Sequence, residues 1–243
     1  MAIRLHFKKY MKNLVIILAF FAIGIILSIY VVENPQDSLV SRLVTYNKIF
    51  VLLGQHLNIV GISSGLAILT AAPLGIFLTR PKLKKWSPRV VSIVNVGQTI
   101  PSLAIVALFV GILGVGSKTA IFALWIYSLL PILNNTLIGV GEVDNAIIEA
   151  ANGMGMKPIH VLTKVEIPLA MPMIIAGIRT AVTINIGSAI LASFVGGGGL
   201  GDLIITGNNI SRWQVLVLGA TLPVLMALLA DYLFGIIEEK IKL

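Results

Sequence analysis

The sequence predicts an all-α polytopic membrane protein with about six transmembrane helices and both termini in the cytoplasm. Three observations lead to this fold class. The chain has 243 residues, of which 57% are hydrophobic and 12% are charged, whereas ordinary globular domains carry about 25% charged residues. Its apolar residues are gathered in six long runs. Its lysines and arginines lie in short clusters between those runs, which is the pattern of membrane topology.

Each apolar run is long enough to cross the hydrocarbon core of a bilayer, which takes roughly 20 helical residues. The first four runs contain no charged residue, the fifth contains Arg179 and the sixth contains Asp231. In chain order, the predicted spans are residues 14–32, 49–79, 90–117, 119–141, 172–195 and 213–237. The first run ends before Glu33 without a small-residue cleavage site, so an uncleaved anchor is predicted rather than a signal peptide.

The distribution of basic residues sets the orientation. With the N-terminus inside, the cytoplasmic segments hold Arg4, Lys8, Lys9, Lys12, Arg80, Lys82, Lys84, Lys85, Arg89, Lys157, Lys164, Lys240 and Lys242. The outer segments hold only Arg42, Lys48, Lys118 and Arg212. This excess predicts cytoplasmic termini. Residues 1–48 are then a basic cytoplasmic N-terminus, an accessory span and an outer loop, 49–237 are the main membrane domain, and 238–243 are a cytoplasmic tail.

Composition and motifs exclude several classes of function. The formal net charge is +8, but the basic residues form no continuous stripe, so no nucleic-acid partner is expected. The absence of cysteine removes disulfides, thiolate metal sites and thiol catalysis. The three histidines lie far apart and lack metal-ligand spacing. No G-x-x-x-x-G-K-[ST] motif occurs, so any ATP must be bound by another subunit.

Two further motifs are expected to be fortuitous. Gly196, Gly198 and Gly201 satisfy G-x-G-x-x-G, but they follow a predicted membrane span rather than a strand, so a dinucleotide site is not expected. Gly199-x-Gly201-Asp202 resembles a fragment of the Gly-x-Gly-Asp motif of intramembrane aspartyl proteases, and Asp231 is the other candidate carboxylate at membrane depth. Such chemistry needs two carboxylates that share a proton, and the predicted topology places these two at opposite faces of the membrane.

Residues 149–170 form a charged, punctuated segment between two apolar runs. Asp144 is suited to cap a helix that precedes and enters this segment. That helix is interrupted by two glycines, Gly153 and Gly155. Pro158 suits the first position of a second short helix, and Pro168 is expected to break the pattern before the next span. The apolar stripe of the second helix consists of Ile159, Leu162 and Val165.

The punctuated segment resembles the EAA loop of ATP-binding-cassette importer permeases. Glu149-Ala150-Ala151 is followed after three residues by Gly155, and after nine more by Val165-Glu166-Ile167-Pro168. The family pattern is Glu-Ala-Ala, three residues, Gly, nine residues, Ile-x-Leu-Pro. We refer to residues 142–170 as the EAA-like loop. The resemblance implies a type I importer transmembrane domain over 49–237, with one extra N-terminal helix. It also implies an ATPase-coupling role for Glu149, Ala150, Ala151, Gly155, Ile159, Leu162 and Pro168.

Other segments are similar to the osmoprotectant branch of this family, whose members import glycine betaine, carnitine or choline. These segments are Gln98-Thr99-Ile100-Pro101-Ser102 and Ile184-Asn185-Ile186-Gly187. The glycine-rich segment at 194–202 is similar to methionine importer permeases as well. A permease for methionine or another amino acid therefore remains an alternative, as do a self-sufficient channel or carrier and a membrane scaffold.

Neutral polar residues inside the spans are candidates for a translocation path, although each is equally suited to an interhelical hydrogen bond. They are Gln98, Asn134, Asn135, Thr183 and Asn185. Arg179 either pairs with a carboxylate or extends to the cytoplasmic headgroups. No clustered aromatic residues are evident that would cage a quaternary ammonium.

The resemblance implies a set of partners around this chain. Cytoplasmic ATPase subunits would bind ATP and Mg²⁺, so no cofactor, metal or catalytic residue is expected in this chain. A second permease subunit, identical or paralogous, would complete the pathway, because one small bundle offers little room for a cavity. An extracytoplasmic binding protein would supply the aromatic cage. The expected location is the cell membrane, with multiple passes through the lipid bilayer.

Overall fold

The computed structural model describes residues 2–241, with side-chain surroundings from residue 13 onward. The described residues are helical and contain no strand. The helices are α1 (Ala2–Glu33), α2 (Ser38–Leu43), α3 (Tyr46–Leu78), α4 (Ser87–Thr99), α5 (Ser102–Leu113), α6 (Ser117–Gly141), α7 (Asn145–Gly153), α8 (Pro158–Val161), α9 (Ile167–Ser188), α10 (Gly201–Asn209) and α11 (Trp213–Ile241). The basic side chains of residues 4–12 and the tail residues Lys242 and Leu243 lie outside the described residues.

The third predicted span is a broken helix. Five helices of the described residues are long and apolar enough to cross a membrane, or six if α4 and α5 form one bent span. These two helices meet at an angle of 94°. Ile100 at the break has extended backbone, with φ −80° and ψ 129°, which is the conformation that a following proline favours. Pro101 also lacks the N–H that would continue the helix of α4.

The fifth span begins much earlier than residue 172, and the expected break at Pro168 is wrong. One helical segment that is long and apolar enough to cross a membrane runs from Pro158 to Val195, a length of 38 residues. It includes α8, a π-helical turn at Leu162–Glu166, α9 and a 3-10 turn at Ala189–Val195. Pro168 lies in the first turn of α9, where its missing N–H disturbs the helix least. The EAA-like loop is therefore continuous with a membrane helix.

Helix α1 lies at the edge of the bundle. It packs mainly on α11, where Gly24 lies against Leu222 and Leu225. A cavity of about 490 Å³, lined almost entirely by apolar side chains, separates α1 from α3. Near the inner end of α1, Tyr232 donates a hydrogen bond of 2.7 Å to Asn13 Oδ1. Most other side chains of α1 from residue 13 onward are exposed, as expected for a helix that faces lipid.

A buried glutamine ties the outer end of α1 to α11. Gln214 Oε1 accepts a hydrogen bond of 2.6 Å from the Gln36 N–H. Its Nε2 donates a bond of 2.9 Å to the carbonyl of Asn34. The amide therefore satisfies backbone groups of the loop that follows α1.

An ion pair lies beside this glutamine. Arg212 Nε donates to Asp37 Oδ2 at 2.5 Å, while Asp37 Oδ1 caps α2 by accepting the N–H groups of Leu39 and Val40 at 3.0 Å each. The Val40 N–H, assisted by Arg212, holds the pKa of Asp37 below its usual value, although desolvation acts in the opposite direction. The contacts of Asp37 and Gln214 together fix the outer end of the accessory helix.

The centre of the bundle is formed by α3, α6 and α9, which approach closely at glycines. A Cβ on Gly177 would lie 2.7 Å from Asn135 Cβ and 2.8 Å from the Pro131 carbonyl oxygen. A Cβ on Gly139 would lie 2.7 Å from Met173 Cβ. Small residues at helix crossings allow this kind of backbone approach in membranes.

We expect Gly177→Ala to destabilise the bundle by about 1–3 kcal/mol, because the added methyl group overlaps α6. Thermal unfolding of the purified chain in mild detergent measures the effect as a lower Tm. Gly187→Ala on the same helix is the matched control, since a Cβ there would meet nothing within 4 Å. Equal Tm values for the two variants would contradict the close α6–α9 packing.

The ion pair at the outer face gives a pH prediction. The pKa of Asp37 is lower in the folded state than in the unfolded state. Ionised Asp37 therefore stabilises the folded protein fully above the unfolded-state pKa, and this stabilisation is lost as pH falls through the folded-state pKa. We expect Asp37→Asn to lower Tm at pH 7, and we expect the difference in Tm between the variant and the wild type to shrink below about pH 4. Ser41→Ala, an exposed change on α2, serves as the control. A difference that is constant with pH would show that Asp37 does not act through its charge.

Candidate functional site

The first half of the EAA-like loop has the predicted helix and turn. Asp144 Oδ1 caps α7 by accepting the Ala146 N–H at 2.9 Å. Glu149 and Ala150 are exposed on this helix, whereas Ala151 is buried. The helix ends at Gly153, and Gly155 follows with φ +79°, a left-handed conformation that favours glycine. The predictions for the Asp144 cap and the Gly155 turn are confirmed.

The second half of the loop begins with Pro158 in the first turn of α8, as predicted. The face that packs on the rest of the chain includes Val161, which lies outside the apolar stripe. Val161 is buried at 3% exposure, whereas Ile159 is 58% exposed. Leu162 and Val165 are half-buried. Residue spacing alone could not distinguish the face that packs on the chain itself from the face left open.

Exposed apolar side chains gather along the loop. Ile147 on α7 is 44% exposed, Met154 at the turn is 76% exposed, and Ile159 on α8 is 58% exposed. We call these three residues the loop patch. Two short helices rarely leave such side chains in water without a partner.

A buried carboxylate lies where the loop enters the membrane helix. Glu166, the last residue of the π-helical turn, is 6% exposed. Arg80, just beyond α3, donates from Nη1 to Glu166 Oε1 at 3.0 Å and from Nη2 to Glu166 Oε2. Sequence reasoning used Arg80 only for topology and missed this pair. The available signal was an acidic residue between apolar residues, which needs a cation when it is buried.

The five candidate path residues are not gathered at one place by hydrogen bonds. Gln98 Nε2 donates to the Tyr127 carbonyl at 2.8 Å, between α4 and α6. Asn135 donates to the Pro131 carbonyl of its own helix at 2.8 Å. The side chain of Asn134 is half-buried on α6. Gln98 therefore makes an interhelical hydrogen bond, the alternative use of such residues, whereas the bond of Asn135 stays within its own helix.

Asn185 lies deepest among these candidates. Its side chain is fully buried, and Nδ2 donates to the hydroxyl oxygens of Ser63 at 3.3 Å and Ser64 at 2.9 Å on α3. Its Oδ1 and the hydroxyl of Thr183 are buried without a hydrogen-bond partner among the described residues. Unsatisfied polar atoms of this kind are uncommon inside proteins. The bonds of Asn185 to Ser63 and Ser64 make the α3–α9 contact polar in the bundle interior.

The glycine-rich segment forms a packed outer corner. Gly198 and Gly199 have φ values of +75° and +99°. The Gly199 N–H donates to Gln55 Oε1 at 3.0 Å. A helix rather than a strand precedes this corner, so it lacks the setting of a dinucleotide site.

Arg179 is paired, which decides between its two predicted roles. It binds both carboxylate oxygens of Asp231, with Nε–Oδ1 at 2.6 Å and Nη2–Oδ2 at 2.7 Å. Glu238 lies 3.4 Å from Nη1. Asp231 is thus held by a cation, and Asp202 lies in the first turn of α10. This arrangement does not resemble two carboxylates that share a proton.

The structure brings together aromatic rings that appear scattered in the sequence. Phe109 on α5 meets Phe122 on α6 edge-to-face, with ring centroids 4.6 Å apart. Phe122 contacts Trp125 at 5.4 Å. The spacing of these residues in the sequence did not indicate this contact. These rings are packed against one another, and Trp125 Nε1 donates to Thr70 at 3.1 Å.

Comparison with known sequences finds permease subunits of transport systems. Residues 71–243 match the family described as "Binding-protein-dependent transport system inner membrane component". The chain is 46% identical to the "Choline transport system permease protein OpuBB" of Bacillus subtilis over 187 residues, which are 77% of this chain and 85% of that protein. It is also 46% identical to the "Glycine betaine/carnitine/choline transport system permease protein OpuCB" of that organism over 188 residues, which are 77% and 86% of the two chains.

Comparison with solved structures supports the same fold. A chain of the inward-facing MetNI methionine ABC transporter superposes with a TM-score of 0.71 and 22% identity, covering 80% of this chain and 96% of that chain. This likeness shows the fold of a type I importer membrane subunit with additional residues in this chain. At that identity it carries no information about the solute.

Proposed function

The chain belongs to the family of binding-protein-dependent transport system inner membrane components, and from this premise we propose that it is the permease subunit of an ATP-driven osmoprotectant importer. The solutes are quaternary ammonium compounds such as glycine betaine, carnitine or choline. The single observation that carries this proposal is the 46% identity to permeases named for those solutes, over 77% of this chain. It favours the osmoprotectant branch over a methionine permease, since the solved methionine transporter chain is only 22% identical.

Membership of the family implies an ATPase subunit and a substrate-binding protein as partners. We assign the binding of ATP and Mg²⁺ to the ATPase, because this sequence contains no phosphate-binding G-x-x-x-x-G-K-[ST] motif. The loop patch is the proposed contact with that subunit. A second permease, identical or paralogous, completes the pathway, and the binding protein delivers the solute at the outer face.

The coupling mechanism follows from the continuity of the helix. ATP binding closes the ATPase subunits and draws the EAA-like loops together. Glu149, Gly155 and Ile159 receive this displacement in α7, the turn and α8. Because α8 and α9 belong to one helical segment, movement of α8 is passed directly into the membrane. The bundle then opens to the outside. The proposed path residues are Gln98, Asn134, Asn135, Thr183 and Asn185, of which Gln98 and Asn135 are hydrogen-bonded to carbonyl groups in this structure.

The solute class is tested by purifying the tagged chain from mild detergent with its ATPase. ATP hydrolysis is then measured in proteoliposomes with the cognate binding protein and glycine betaine, carnitine, choline or methionine. We expect hydrolysis to rise with at least one quaternary ammonium compound and not with methionine. Stimulation by methionine alone would move the chain to the amino-acid branch. Absence of any associated ATPase would contradict the role of the EAA-like loop.

The coupling role of the loop predicts an uncoupled phenotype. Proline cannot adopt the φ of +79° found at Gly155, and Glu149→Lys reverses an exposed charge on α7. We expect Gly155→Pro and Glu149→Lys to insert normally but to import roughly tenfold less solute per ATP hydrolysed, within the range of coupling between protein sites. Gly153→Ala is the control, because a Cβ there has open space. Normal stoichiometry in both variants would contradict coupling through this loop.

A further inference from the structure

The ion pair of Arg80 and Glu166 joins two elements that the chain does not connect directly. Among the described residues, Glu166 is the only acidic residue classed as buried. Its side chain is 8% exposed, against 29% for Arg80. Both carboxylate oxygens accept from separate guanidinium nitrogens. This forked geometry fixes orientation as well as distance.

The guanidinium group is itself held by the end of α3. Thr79 Oγ1 accepts from Arg80 Nε at 3.1 Å and from Nη2 at 2.8 Å. The same hydroxyl donates to the Ile76 carbonyl at 2.7 Å. Arg80 is therefore a fixed extension of α3 rather than a flexible surface side chain.

The opposite partner belongs to the helix that carries the loop. Glu166 follows α8 by one π-helical turn and precedes α9 directly. Displacement of α8 moves α9 through the backbone, but α3 is reached only through side chains. Apolar contacts near this level include Ile76 of α3 packed against the cluster of Val140, Ala170 and Ile174. Apolar contacts of this kind let two helices slide past each other more readily than a forked ion pair lets its two charges separate.

A buried ion pair is weak evidence for a purely stabilising role, because its desolvation offsets much of the attraction. Separating the two charges is unfavourable, since a buried carboxylate would lose its partner. The pair therefore resists relative movement of the elements it joins. We propose that Arg80 and Glu166 are positioning residues that clamp α3 to the EAA-like loop, so that ATPase-driven displacement of the loop moves α3 together with α9. This inference rests on the proposed transport function.

The clamp is tested by the number of solute molecules imported per ATP hydrolysed, with whichever solute the wild-type complex imports. We expect Glu166→Gln to assemble with the ATPase and retain basal hydrolysis while this ratio falls about tenfold. Arg80→Lys keeps the charge but loses the fork, so a smaller fall is expected. The exchanged pair Arg80→Glu/Glu166→Arg should return the ratio to within roughly twofold of wild type. Asp37→Asn, which removes an ion pair at the outer face, is the control and should keep the wild-type ratio.

A second measurement does not depend on the transported solute. The chain contains no cysteine, so Phe77→Cys on α3 and Thr163→Cys beside α8 introduce two unique sites for spin labels. Both native side chains are exposed. In the assembled complex, the distance between the labels should stay constant when a non-hydrolysable ATP analogue binds. In the Glu166→Gln background, the same analogue should change it.

The outcomes separate the clamp from the proposed function. A wild-type complex that imports no quaternary ammonium compound contradicts the solute assignment, and the label distances still report on the clamp. An unchanged import ratio in Glu166→Gln overturns the clamp. The clamp is also overturned if neither Glu166→Gln nor Arg80→Lys assembles, because the two residues would then act only in folding. It is overturned as well if both single variants assemble but the exchanged pair does not restore coupling, because the two residues would then act separately.

Discussion

The need to satisfy every backbone hydrogen bond inside the membrane governs this structure. Hydrocarbon offers no water to an exposed N–H or carbonyl group, so the spans must be helices. At two places the chain departs from regular helix where proline or glycine makes the departure possible. The break before Pro101 turns α4 against α5, and the left-handed glycines at 198–199 form a packed corner against Gln55.

The EAA-like loop is joined to the bundle by a continuous helical segment. A flexible connection at Pro168 would lose motion at the point where it must be transmitted. The π-helical turn at Leu162–Glu166 instead continues from α8 into α9. The close contacts of Gly139 and Gly177 then bind α9 to α6, so a displacement at the cytoplasmic side reaches the centre of the bundle.

Patterns that depend on local chemistry were predicted well, and patterns that depend on neighbouring helices were not. The cap at Asp144, the turn at Gly155 and the start of α8 at Pro158 follow from the backbone preferences of single residues. The wrong break at Pro168 came from the same local reasoning, applied where a proline lies in the first turn of a helix. Spacing defined the stripe of Ile159, Leu162 and Val165, but which surface is buried depends on what the rest of the chain covers.

The sequence by itself determined the membrane class, the approximate spans, and the family through the spacing from Glu149 to Pro168, and it predicts the orientation. These properties follow from hydropathy, charge placement and short-range geometry. Only the tertiary structure decided that Arg80 binds Glu166, that Arg179 binds Asp231, and that Asn185 meets Ser63 and Ser64. The reason is physical: these partners are separated by 52 to 122 residues in the chain, and helix packing alone brings them within hydrogen-bonding distance.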